Sequence, residues 1–179
     1  MIEIKDFVLE QKLSDETIKE YENKVPQEML EFWKSYGLGI FRDGYLRSIN
    51  PNEWKDVLED ASVRYKGGVP LFVTAMGDLL VWCDGYVELL NFRHHTVNVH
   101  SSTMEFFFSD LKEEFTMNHD YQWQPYIEAT EKYGSVVYDE CFGYVPLLAL
   151  GGSEKVENLQ KLKVREHILL NVAMTGPIY

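Results

Sequence analysis

Between residues 69 and 100 the chain reads as four short apolar segments, VPLFVTAM, LLVWCD, YVELLNF and TVNVH, separated by Gly77-Asp78, Asp84-Gly85 and a short RHH. Segments of this length, rich in β-branched and aromatic residues and punctuated by turn dipeptides, are strands, and turns this tight join antiparallel neighbours. The stretch commits the chain to an antiparallel meander whose faces the remaining sequence has to cover. With 179 residues, 45% of them hydrophobic, there is enough apolar material for one substantial core.

The covering elements are helices. Ser14 ahead of Asp15 and Glu16 reads as the N-cap of a short first helix that buries Ile18 and Tyr21. In VPQEMLEFWKSYGLG, Pro26 opens a helix that places Met29, Leu30, Trp33 and Tyr36 on one face and stops at Gly37. DGYLRSINP gives a turn, a short strand and an Asn50 cap before Pro51; the next helix turns Trp54, Val57 and Leu58 inward and Glu53, Asp56 and Asp60 outward. After the meander, SSTMEFFFSDLKEEF predicts one capped helix with Met104, Phe107, Phe108 and Leu111 on its apolar side, and Pro125 opens another through about Tyr133.

GYVPLLALGG, residues 143–152, predicts a buried strand from Tyr144 to Leu150 closed by a glycine turn. In the tail, Val156, Leu159, Leu162, Ile168, Leu169 and Val172 fit a helix, an initial strand ending near Val164 is the alternative, and Gly176-Pro177 ends it. The expected class is α+β: an antiparallel β-sheet covered by N-terminal helices over residues 1–112, with a smaller C-terminal strand and helix region, 113–179, packed on it. Roughly 67 residues hold too little core to fold alone. GYVPLLALGG is therefore expected to be the docking strand, and Leu148→Asp to disrupt folding.

Charge narrows the partners. The chain has 29 acidic against 17 basic side chains, net −12, so its summed field repels phosphate backbones and argues against direct nucleic-acid or anionic-membrane binding. The excess concentrates in residues 113–140, where Glu113, Glu114, Asp120, Glu128, Glu131, Asp139 and Glu140 face Lys132 alone; residues 153–166 lean slightly basic. Such a run is either a solvated face or a surface that meets a basic protein. The N-terminus lacks the basic start and apolar centre of a signal peptide, and no segment reaches roughly 18 uninterrupted apolar residues, so a cytoplasmic protein is expected. Cys83 and Cys141 sit in no metal or redox spacing and read as reduced, partly buried thiols.

Catalytic chemistry finds little support. ALGGSEK lacks the spacing of a phosphate loop, since two adjacent glycines are followed by an acid before Lys155, and Gly143 lies too far upstream to complete GxGxxG. FRHHTVNVH holds three histidines, but on a strand His94 and His100 would share a face about 20 Å apart while His95 points away. One ion cannot take all three. No GxSxG elbow is present, and the adjacent carboxylates at 113–114 and 139–140 carry no information in so acidic a chain. No metal, cofactor or catalytic residue is expected.

The segments VPQEMLEFWKSYGLGIFRDGYLRSINPNEW, VTAMGDLLVW and FGYVPLLALGG, with LKVREHILL downstream, together resemble the GAD-like family of bacterial proteins, whose C-terminal part matches immunity proteins against DNase effectors of type VI secretion. The resemblance covers roughly residues 14–176 and rests on the order and spacing of Pro26, Trp33, Gly37, Asn50, Pro51, Gly77, Asp78, Pro146, Gly151, Gly152, Glu166 and His167. The first helix and the Pro-Trp-Gly segment are also similar to the openings of SUKH-type immunity proteins. The resemblance implies a stoichiometric, non-enzymatic inhibitor that binds a secreted nuclease toxin, itself a basic protein. The 113–140 acids, with Glu53, Asp56 and Asp60, are the candidate contact residues. Two other classes stay open: a small-ligand or enzymatic role linked to nucleotides, since the GAD name comes from a domain related to one in tRNA-charging and amidotransferase enzymes, and a regulatory scaffold for another protein.

Overall fold

The alternation between residues 69 and 100 folds as it reads, and the computed structural model, which describes residues 3–179, sets it inside a larger sheet. Ahead of it come β1 (Val8–Gln11), α1 (Asp15–Glu20), α2 (Gln27–Tyr36), β2 (Leu38–Phe41), β3 (Leu46–Ser48) and α3 (Pro51–Ala61). The meander is β4 (Val69–Thr74), β5 (Leu79–Cys83), β6 (Tyr86–Asn91) and β7 (Thr96–Ser101). The chain continues through α4 (Met104–Asp110), α5 (Glu114–His119), α6 (Gln124–Tyr133), β8 (Glu140–Tyr144), β9 (Leu159–Lys163) and α7 (Val164–Thr175). Among the described residues, β1 to β7 form one antiparallel sheet in sequential order, and β8 and β9 form a separate antiparallel ribbon.

Local chemistry sets the helix starts. Ser14 Oγ accepts the Thr17 N–H, Asn50 Oδ1 the Asn52 N–H and Thr103 Oγ1 the Phe106 N–H, each at 3.1 Å. A cap of this kind is worth about 1 kcal/mol, enough to fix where a short helix begins. Packing then explains why β4 is buried along its whole length. On one face Phe72, Leu80 and Leu89 meet Phe32 and Trp33 of α2, Phe107 and Phe108 of α4, and Tyr126 of α6. The rings interlock, with Phe32 and Phe108 stacked at 5.2 Å and Phe72 and Phe107 at 5.2 Å. On the other face Val73, Leu79, Val81 and Leu90 meet Trp54, Val57 and Leu58 of α3 and Val164 and Ile168 of α7. Cover therefore comes from both ends of the chain, not from the N-terminal helices alone.

Two expectations need correction, and one open alternative is decided. The residues after Thr103 form two helices instead of one, because the Leu111 carbonyl, which a continuous helix would offer to Phe115, accepts the Arg42 Nε–H at 2.5 Å instead. The C-terminal strand lies upstream of its predicted place. It ends at Tyr144, Pro146 has no N–H to extend a ladder, and Leu148–Leu150 form a 3-10 turn that closes at Gly151. Leu148 is consequently only half-buried and Leu150 exposed, so the docking residues are Phe142 and Tyr144, with Leu148 packed at the edge of the same cluster. In the tail, the alternative reading is the one the chain adopts, β9 ending at Lys163 and α7 starting at Val164.

The first hydrophobic cluster contains Met117, Tyr126, Phe142 and Leu159 alongside Phe32 and Phe72, so both portions of the chain contribute to one core. Phe142 is fully buried there, and its N–H donates to the Ala75 carbonyl at 2.7 Å. Phe142→Ala is expected to lower the stability of the whole protein by about 3–5 kcal/mol in one cooperative urea transition. Leu148→Asp is expected to cost clearly less. A Phe142→Ala protein as stable as wild type would mean that the C-terminal portion docks by other contacts.

Candidate functional site

The C-terminal portion is held on the sheet by buried donors that reach across to its backbone. Arg93 Nη2 donates to Asp78 Oδ2 at 2.8 Å and to the Tyr121 carbonyl at 3.2 Å, and Tyr45 Oη donates to that same carbonyl at 3.1 Å. Arg47 is fully buried and donates to the carbonyls of Gly44, Tyr45, Val136 and Val137; among the described residues no carboxylate pairs with it. In the other direction Tyr126 Oη donates to the Asp43 carbonyl and Tyr138 Oη to the Ser48 carbonyl, both at 2.7 Å. Arg42 lies over the Trp123 ring at 4.5 Å. Burial opposes the Arg93 charge, but Asp78 outweighs it and holds the guanidinium protonated; burial pushes the Asp78 carboxyl up, against the pull of Arg93.

That framework presents the acidic run. Glu113 and Glu114 start α5, Glu128 and Glu131 lie on α6, and all four are exposed and enter no ion pair among the described residues. Asp120, half-exposed, stands 2.8 Å from His119 Nδ1 and 3.8 Å from His100 Nδ1. Asp139 and Glu140 flank the β8–β9 ribbon and share Lys163, at 2.6 and 4.0 Å. Glu53, Asp56 and Asp60 lie elsewhere, on α3 over the opposite face of the sheet, where Asp56 pairs with Arg165 at 2.8 Å and Asn50 donates to Glu53. The α5 and α6 carboxylates thus lie over the face opposite the α3 carboxylates, while Asp139 and Glu140 stand nearer α3, through Lys163 and the neighbouring Arg165.

Three shallow clefts of about 310, 450 and 320 Å3 run past β7, the β6–β7 turn and α6. The first two share Asn98 and the last two Glu154, so they form one furrow whose carboxylates are Asp120, Glu154, Glu128 and Glu157. Glu154 and Glu157 were not among the sequence candidates, because their segment leans basic. The signal that places Glu154 here is spatial: it accepts from or pairs with His94 Nε2 at 2.7 Å, bridging a turn and a loop sixty residues apart. His94 and His95 occupy the β6–β7 turn while His100 lies within β7, packed edge-on against Phe107 and Tyr121. Burial pushes the His100 imidazole down, against Asp120 and Asp110.

A second cluster, in the interior, has the residue types of a thiol enzyme. A Cβ placed on Gly77, which has φ +78, would sit 3.0 Å from His167 Cδ2 and 3.4 Å from Cys141 Sγ, and Asn171 Nδ2 lies 3.3 Å from His167 Nε2. Burial, however, pushes the Cys141 thiol up to about 12, and burial together with Arg93 pushes His167 down to about 4. At neutral pH both groups are neutral, the reverse of an activated thiolate. A Cβ on Gly143 would meet this imidazole at 2.4 Å, so His167 works as a packing element between two glycines. Among the described residues no group of three or more histidine, cysteine or acidic side chains converges to hold a metal ion, and no helix is long and apolar enough to cross a membrane.

Residues 2–95 of the chain match the model of the GAD-like domain, and residues 101–175 match the model described as T6SS immunity protein Tdi1, C-terminal. The second match supports an immunity role. Among solved structures, the crystal structure of Atu4351 from Agrobacterium tumefaciens superposes with a TM-score of 0.77 over 96% of this chain and 87% of that one. At 20% identity that likeness shows the fold alone. No curated protein matches the sequence.

The buried imidazole makes stability sensitive to acid. His167 binds its proton near 6.5 in the unfolded chain and near 4 in the folded one, so between those values the unfolded state holds more protons and stability falls as the pH falls. Between pH 7.5 and 4.5 this amounts to about 2–3 kcal/mol from His167. Urea unfolding at the two pH values is expected to show that loss in the wild type and correspondingly less of it in His167→Gln. Equal losses in both proteins would remove His167 as the cause.

Proposed function

The chain belongs to the GAD-like domain family, and from that premise we propose that it is an immunity protein that binds a cognate secreted DNase toxin and neutralises it by protein–protein contact, without catalysis. The observation that carries the reading is a coincidence of position. The segment that matches the immunity-protein model, residues 101–175, is the one that carries Glu113, Glu114, Glu128 and Glu131, exposed and without an ion pair among the described residues.

A DNase grips a polyanion and so needs a basic groove; a rigid acidic face competes for that groove. Charge complementarity of this kind raises the encounter rate and rejects wrong partners, while the affinity comes from the desolvated centre of the contact. The exposed carboxylates need no rearrangement to meet the toxin, because α5 and α6 are pinned through the Tyr121, Val136 and Val137 carbonyls. Less ordering on binding leaves more of the contact energy as affinity. The reading places the protein in the cytoplasm, where the DNA to be protected lies. The α3 acids Glu53 and Asp56, engaged by Asn50 and Arg165, are less available to a partner than the α5 and α6 set.

An immunity gene is expected to lie beside that of its toxin; adding the protein to a nuclease found there, with DNA in large excess, is expected to abolish cleavage at a simple molar ratio, and full cleavage at every ratio would refute the reading for that pair. The triple variant Glu114→Lys, Glu128→Lys, Glu131→Lys is expected to slow association at least about tenfold and to flatten its dependence on salt. Association kinetics indistinguishable from wild type at low and high salt would remove the α5–α6 carboxylates from the contact.

A further inference from the structure

We propose that the furrow beside β7 takes an extended segment of the toxin as an added strand, and that this segment alternates apolar with Lys or Arg residues; the inference rests on the immunity reading above. β7 is the last strand of the sheet, and among the described residues no backbone hydrogen bond outside its ladder with β6 reaches Thr96–His100. Proteins usually blunt such an edge with Lys, Pro, brevity or a bulge. The opposite edge does so: β1 has four residues, a register irregularity between Leu9 and Gln11, and Glu10. β7 has six residues, TVNVHS, without Asp, Glu, Lys, Arg or Pro, and its irregularity falls at His100, leaving Thr96–Val99 in regular register with β6.

The two sides of this edge differ, and the difference specifies the occupant. Val97 and Val99 pair with Leu90 and Glu88 of β6 on the α3–α7 face, and Val99 is 62% exposed. An added strand would set apolar side chains beside them. Asn98 and His100 point to the α5 face, where the furrow carries Asp120 and Glu154 and where Phe115, 74% exposed, stacks on His119 at 5.2 Å. The alternate side chains of the added strand would meet those two carboxylates there, each already beside a histidine, an environment for Lys or Arg. Main-chain hydrogen bonds supply the attachment and the alternation supplies the specificity. A second copy of this chain is the poorer occupant, since each copy carries a net charge of −12 and β7 offers no cation other than a protonated histidine.

Amide hydrogen exchange on the full-length protein, alone and with its proposed cognate nuclease, reads the edge directly. In the complex the outward amides of Thr96–Val99 are expected to slow at least tenfold. Val99→Lys, at an exposed position where wild-type thermal stability is expected, should weaken binding at least tenfold, while Val99→Thr stays within about twofold. A tight, inhibited complex with β7 exchange unchanged and Val99→Lys binding like wild type would overturn the added strand while leaving the immunity reading intact. Absence of any complex would overturn both. A protein that is dimeric by itself, with β7 already protected, would overturn the proposal in favour of a second copy.

Discussion

Two buried guanidinium groups hold this structure together. Arg93 and Arg47 project from the sheet into its join with the C-terminal portion, and between them they bind the carbonyls of Tyr121, Val136 and Val137. Neither charge is at home in the interior, and the two are accommodated differently. Arg93 has Asp78, brought to it by the β4–β5 turn and steadied by Thr74, whose Oγ1 accepts the Asp78 N–H at 3.0 Å. Arg47 is met by carbonyl dipoles and, among the described residues, by no carboxylate, and burial pushes its pKa down. Detaching the C-terminal portion would take the Tyr121 carbonyl from Arg93 and the Val136 and Val137 carbonyls from Arg47, leaving Asp78 to the one and the Gly44 and Tyr45 carbonyls to the other. The join is thereby more specific than apolar packing alone would make it.

The consequence for function is a rigid outer face. The connector between α5 and α6 is tied at Tyr121 by two donors and at Trp123 by the Arg42 cation, and α6 is tied again by Tyr126 to the β2–β3 turn. Carboxylates mounted on such a frame are presented in fixed positions, as an inhibitor that competes with DNA for a basic groove requires. The uncharged edge of β7 lies along the same furrow as Asp120 and Glu154, so steering charge and a template for main-chain pairing occupy one surface. The α3–α7 face, where Asp56 and Glu53 are taken up by Arg165 and Asn50, lacks that combination.

What the sequence made legible was what local chemistry decides. The meander at 69–100, the caps at Ser14 and Asn50 and the inward stripe of α3 all depend on neighbours a few residues away. β1 and β2 escaped because their pairing is set by distant partners and because β1, exposed along its length, carries no burial pattern to read. The break between α4 and α5 could not be foreseen, since the residue that captures the Leu111 carbonyl is sixty-nine positions away. The seven acids were legible as a charge run along the chain, and the family resemblance as an immunity role. The placement of the α5 and α6 acids over the face opposite Glu53, Asp56 and Asp60, and the entry of Glu154 into the furrow through His94, required the folded chain.

The most direct test of a rigid acidic face mounted on a shared core is the structure of the complex with the nuclease toxin proposed as its partner. The predicted result is a nuclease whose basic groove covers α5, α6 and the β7 edge, with the Arg93–Asp78 pair and its bond to the Tyr121 carbonyl in place. A nuclease seated on the α3–α7 face, or a C-terminal portion lifted away from Arg93 and Arg47 on binding, would contradict it.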